Sequence, residues 1–243
     1  MQPSDRHHNR LTAALLVAGA LILNIAFTGL GAAFDYPDVL TRPAGQALAE
    51  FRADQAAIVA WFALLCAGAA LLTPIALRVG RLGDSALLRA GVPVGIAASA
   101  VQLAGLVRWP LLVPFLAARA ESDPGAIATF TTANTVLGVA VGETLGYALT
   151  ATWTAMVALA LHRTLAGTWF TALGFGAAAL IATGVFAPLD LPGAEQANFA
   201  GYLLWSAWLV AFAGLLAFGR RTADPVPAYG GSRNPQSPRS GVH

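Results

Sequence analysis

An all-α, polytopic bundle of six membrane-spanning helices is the fold this sequence predicts, and three observations predict it. Hydrophobic residues make up 57% of the chain and charged residues 11%, against about 25% charged in soluble domains. The apolar residues gather into six runs, near 11–31, 55–77, 91–117, 131–160, 168–188 and 199–219, each long enough to supply the roughly 20 residues that cross a bilayer. The arginines collect on alternate connections. Backbone polar groups in lipid need partners within their own segment, so the runs are read as helices. Residues 1–10 then form a cytoplasmic arm, 11–219 the membrane domain and 220–243 a disordered cytoplasmic tail rich in Pro, Gly and Ser.

The charge pattern sets the expected orientation. All the basic side chains except histidine are arginine, which with the high alanine content suggests a bacterium with a GC-rich genome. Arg6, Arg10, Arg78, Arg81, Arg89, Arg163, Arg220, Arg221, Arg233 and Arg239 lie on one side of the six-span topology. The positive-inside bias makes that side, and with it both termini, cytoplasmic in the bacterial inner membrane. The opposite connections hold three arginines against eight acids. The charges therefore form no basic patch, and nucleic acid is excluded as a partner in spite of a pI near 9.1. The first run is about twice the length of a signal-peptide core, so it is read as a span and not as a cleaved leader.

Taken in order, the elements carry local signals. Asp35, Tyr36, Pro37 and Asp38 read as a turn, because proline presets φ and aspartate bonds nearby amides. Pro43 suits the first turn of a helix, expected to continue unbroken through Leu77. Trp109, Trp169 and Tyr202 fit interfacial belts, and Gly174, Gly176 and Gly184 fit close helix contact. Cys66, alone in an apolar run, reads as a small buried hydrophobe.

The third run, "QLAGLVRWPLLVPF", places Arg108 in apolar surroundings, where an unpaired charge costs several kcal/mol. The fourth run places Glu143 in "GVAVGETLGYALTATW". With the connecting loop centred near Gly125, both residues are expected at similar depth, paired as guanidinium and carboxylate. Helical steps from Glu143 reach Gly146, Tyr147, Thr150 and Thr154, so one face of the fourth span is polar. Asn24 and Thr28 are spaced alike in the first. Arg108, Glu143, Tyr147, Thr150 and Asn24 are thus the candidate intramembrane site, with Asp35, Tyr36 and Asp38 in the outer loop above it. Two readings stay open: a polar ligand site, or interhelical pairing that fixes register.

Catalytic chemistry has no support. His7, His8, His162 and His243 lie at presumed mobile ends or at a helix end, and there is no HExxH, HxxxH, GxSxG or phosphate-binding glycine loop. No metal, cofactor or catalytic residue is expected, and the outer acids are only a weak candidate for a divalent cation.

Three ordered motifs, "FDYPDVL", "GLVRWP" with "VPFLA", and "GETLGYALTATWT", resemble a bacterial six-span membrane family catalogued as a domain of unknown function, over about Leu11 to Gly219. The resemblance implies a six-helix integral membrane protein and no particular activity. The matching positions are Asp35 to Asp38, Arg108 to Pro110, and Glu143, Gly146 and Tyr147. Members often carry histidine after the glutamate; Thr144 stands there, which argues against acid–base or metal chemistry at that point. The expected function is a non-enzymatic binder or transporter of a small or lipid-like ligand, with membrane lipids as its surroundings. The ligand would come from the acidic outer side, with Arg108 holding an anionic or carbonyl group and Glu143 tuning that charge or exchanging a proton. The alternative is a scaffold subunit in which the pair only locks packing.

Overall fold

The computed structural model describes residues 3–189 and 191–218; the expected tail at 220–243 lies outside them. Among the described residues all regular structure is helical, and six helical stretches are long and apolar enough to cross a membrane: His7–Phe34, Gln55–Val79, Ala86–Arg119, Pro124–Ala160, Gly167–Leu189 and Ala194–Phe218. Each packs on its neighbours in sequence, and the sixth returns to the first, so the spans close into a ring. The first helix, α1 (Pro3–Phe34), already includes most of the residues expected as an arm. His8, expected to be mobile, lies with Nε2 3.2 Å from the Arg78 carbonyl at the foot of the second span.

The outer connection after α1 is folded tightly. Asp35 adopts a positive φ of 50°, a left-handed conformation that aspartate tolerates better than most residues, and its N–H bonds back to the Gly31 carbonyl. A 3₁₀ turn over Asp38–Thr41 follows. Next comes α2 (Ala44–Ala53), tied down by Arg42, which pairs with both Asp35 and Glu50. The helix expected from Pro43 through Leu77 is in fact two. Asp54 breaks it at φ −134°, ψ 42°, and α3 (Gln55–Val79) starts in a new direction. The break lets α2 lie across the outer ends of the third and fourth spans, where Arg52 pairs with Glu121.

The third span is α4 (Ala86–Leu106), a short α5 (Arg108–Leu111) and α6 (Val113–Arg119), interrupted at Val107 and Leu112. Pro110 and Pro114 explain the interruptions, because each removes an N–H donor and its ring crowds the carbonyl four residues back. The fourth span starts as α7 (Pro124–Ala133) and ends as α8 (Gly146–Ala160), with a π-helix over Asn134–Leu145 between them. Segments of π-helix are rare and concentrate at functional sites. The fifth and sixth spans are α9 (Gly167–Thr183), capped by a 3₁₀ turn over Gly184–Leu189, and α10 (Ala194–Phe218).

Two buried cores divide the ring. The core nearer the N-terminal end of α1 draws on all six spans and centres on Trp153, Phe170, Trp208 and Phe212. The outer core is built from the first four spans and α2, around Trp109. Trp109 is therefore not the interfacial residue expected from its position: it is fully buried, stacked on Phe62 at 4.5 Å and met edge-on by Phe34 and Phe130. Tyr202 packs inward on Tyr147, whereas Trp169 is 53% exposed, as a belt residue should be.

Glycine sets the closest approach in the bundle. A Cβ on Gly105 would lie 2.7 Å from the Gly142 Cα and 2.9 Å from the Leu137 carbonyl oxygen, so third and fourth spans meet backbone to backbone. Gly174 and Gly184 are similarly enclosed, by Ala158 and Trp208 and by Tyr147 and Asn198, while Gly176 has ordinary room. Gly105→Ala is accordingly expected to destabilise the protein by about 1–3 kcal/mol, the usual range for overpacking. Gly214→Ala, where nothing stands within 4 Å of the added methyl, should not. Thermal unfolding of the two variants in detergent compares them directly.

Candidate functional site

The third and fourth spans set the site through a ladder of facing positions. Gln102 lies against Gly146, Gly105 against Gly142 and Arg108 against Gly138, where an added Cβ would stand 2.6 Å from the guanidinium Nη2. The residue opposite Arg108 is thus a glycine and not Glu143. Arg108 is 4% exposed. Its Nη2 donates to the Asn134 side-chain oxygen at 2.8 Å and its Nη1 to the Gly105 carbonyl. Its Cζ is 5.2 Å from the Trp109 ring centroid, in cation–π range.

The expected Arg108–Glu143 ion pair is not made. Among the described residues the ion pairs are Arg42 with Asp35 and Glu50, and Arg52 with Glu121. The cause is register. α6 ends at Arg119 and α7 begins at Pro124, so the hairpin turns near Glu121 and Ser122, several residues earlier than Gly125. Glu143 is next to Gly142 at the level of Gly105, about one helical turn, roughly 5 Å, deeper than Arg108. The π-helix also changes the angular position of every residue it contains, so α-helical stepping cannot place Glu143 correctly.

Arg108 and Glu143 still share surroundings. Tyr36 reaches in from the outer loop, half-buried, with its ring 5.2 Å from Phe62 and 6.2 Å from Trp109. Burial pushes its phenol above the usual tyrosine range; the Glu143 charge pushes the same way and Arg108 opposes. Both groups are therefore within electrostatic reach of it. Tyr147 is 5.8 Å from Tyr202, centroid to centroid, and lies beside Gly184 and Asn198 at the outer ends of the fifth and sixth spans. Among the described residues Glu143 has neither an ion pair nor a hydrogen bond to its carboxylate.

The other predicted residues divide. Thr150 is fully buried one to two turns below Glu143, accepts from Gln102 Nε2 at 2.9 Å, and takes the Thr154 hydroxyl on its carbonyl. Thr154 accepts the Trp205 indole N–H at 2.8 Å. The bonds from Gln102 and Trp205 are interhelical, the one between Thr154 and Thr150 lies within α8, and together they extend the polar face downward. Asn24 turns toward the sixth span, donating to Ser206 Oγ at 2.9 Å and to the Ala20 carbonyl, and contacts neither charge. Asp35 is occupied by Arg42, and the Asp38 carbonyl caps Thr41; these loop residues shape the loop. Sequence reasoning missed Asn134, Trp109 and Gln102. Asn134 had a signal: it is a lone amide in an apolar run, four residues before Gly138.

Asn134→Ala leaves a buried guanidinium without one of its acceptors. The expected cost is about 1.5–3 kcal/mol, the range for a hydrogen bond to a charged group, read as a fall in the unfolding midpoint. Asn134→Asp, which keeps the acceptor, should recover most of it.

A family model described as "Domain of unknown function (DUF4386)" matches residues 12–213. No curated protein matches the chain, and no solved structure does.

Proposed function

The chain belongs to the DUF4386 family, whose function is unknown, and on that footing we propose that it is a non-enzymatic binder or transporter of a small or lipid-like ligand. One observation carries this reading: a buried arginine inside a membrane bundle has only neutral acceptors in contact, while a carboxylate one turn away is also unpaired. Intramembrane charges are costly and usually functional. A pair serving packing alone would gain most from direct contact. Around these two charges stand Tyr36, Tyr147 and Tyr202, which supply hydroxyls and apolar ring faces.

The ligand approaches from the acidic side, between the outer core and the outer ends of the fifth and sixth spans. In this reading the membrane is the bacterial inner membrane, with both termini in the cytoplasm by the positive-inside bias. Its protein-specific support is Arg78, Arg81, Arg89 and Arg163 at one end of the bundle and the Arg42 and Arg52 ion pairs with acids at the other. On a Cys66→Ser background, Ser122→Cys should react with an impermeant maleimide on intact spheroplasts and Ser85→Cys should not. The reverse pattern would invert the topology.

The function is tested by native mass spectrometry of protein purified in mild detergent. The wild type should retain a bound molecule that Arg108→Gln loses while keeping a cooperative unfolding transition. The same complement of bound molecules in both would remove the proposal. A scaffold role is the second reading, favoured by the Arg108 bonds to Gly105 and Asn134, which tie the third span to the fourth. It predicts that Arg108→Leu with Asn134→Leu is tolerated better than either change alone, and that no ligand is carried.

A further inference from the structure

Two buried N–H donors of this site lack an acceptor, and they belong to adjacent residues. Arg108 Nε and Trp109 Nε1 bond to nothing among the described residues, although Arg108 is 4% exposed and Trp109 0%. Native proteins leave few buried donors unpartnered. Guanidinium and indole nitrogens donate and never accept, so a cation or a donor-only ligand gains nothing from them. The Gly105 carbonyl and Asn134 hold the two Nη groups, which fixes the guanidinium plane and leaves its Nε edge without a partner. That edge matches the two oxygens of a carboxylate. The rings of Phe34, Phe51, Phe62 and Phe130 pack directly around Trp109, so the surroundings of its indole N–H are apolar. They suit an apolar body and offer no further donors for a doubly charged phosphate.

A carboxylate held there would stand about one turn from Glu143. Two carboxylates so close in a desolvated site do not both stay ionised. The charged and titratable groups facing Glu143 are Arg108, Tyr36, Tyr147, Tyr202 and Glu195. Arg108 alone is cationic and balances one negative charge. We infer that the ligand is a monocarboxylate with an apolar body, bound through the Nε edge of Arg108 and the indole N–H of Trp109, together with a proton taken up by Glu143. This rests on the intramembrane site proposed above and narrows it to one ligand chemistry.

Octanoate is the probe, titrated calorimetrically into the full-length protein in zwitterionic nanodiscs, with empty discs subtracted and 1-octanol as the neutral control. The wild type should bind octanoate and not octanol. Because binding takes up a proton, affinity should fall as pH rises from about 6 to about 8, approaching tenfold per unit. Glu143→Gln, neutral at both ends, should hold its low-pH affinity throughout. Trp109→Phe keeps the ring but loses the donor, and should weaken binding severalfold with the unfolding transition intact. Absence of octanoate binding, equal binding of octanol, a wild-type pH profile in Glu143→Gln, or full affinity in folded Trp109→Phe overturns the inference. If an Arg108-dependent phospholipid is found on the purified protein while octanoate does not bind, the carboxylate inference falls and the site reading stands. If neither binds, both fall.

Discussion

The interior is organised by one constraint: a guanidinium in a low-dielectric bundle must be accommodated without a facing carboxylate. The solution is steric as much as electrostatic. Glycine at 138 brings bare backbone up to Arg108, glycine at 105 and 142 lets the two helix axes approach, and Asn134 supplies the acceptor. With those positions set, the register of the third and fourth spans follows. Gln102 then falls against Gly146 and reaches Thr150, and Thr154 is left to accept Trp205 from the sixth span. A single register therefore links the buried cation to the polar bonds two turns below it.

Proline and glycine distribute the irregularities around this register. The two prolines of "RWPLLVP" segment the third span beside its charge, and the opposing stretch of the fourth span is wound as a π-helix. The spans that are single unbroken α-helices, the first, second and sixth, carry neither Arg108 nor Glu143. Irregular backbone at membrane depth is tolerated where protein, and not lipid, surrounds it. The inner sides of both interrupted segments meet that condition where they face each other at Gly105, Gly138 and Gly142, while Leu111, Val136 and Leu145 point outward.

The fold was legible because hydropathy and arginine placement act over whole segments and survive errors of a few residues. The helix ends shifted and the count of spans did not. The site was legible in composition but not in contact. Arg108 lies on the third span and Glu143 and Tyr147 on the fourth, with Tyr36 reaching in from the loop, yet the pairing failed because it required a register good to one residue, estimated from a loop centre misplaced by about a turn. The helix-wide polar face held for Thr150 and Thr154, beyond the π segment, where regular winding resumes. Trp109 was misjudged because position along a span says nothing about which way a side chain faces. Asn24 was grouped with the site by spacing, and tertiary packing gave it to Ser206 instead.

The two cores differ in a way that bears on traffic across the bilayer. Below the tyrosines, Trp153, Phe170, Trp208 and Phe212 fill the ring with interlocked rings drawn from three spans, Trp208 spending its indole N–H on the Phe170 carbonyl. Packed in this way, the rings close the bundle at that level. Passage of any solute through the ring at that level would require those four aromatic groups, held on three different spans, to part together.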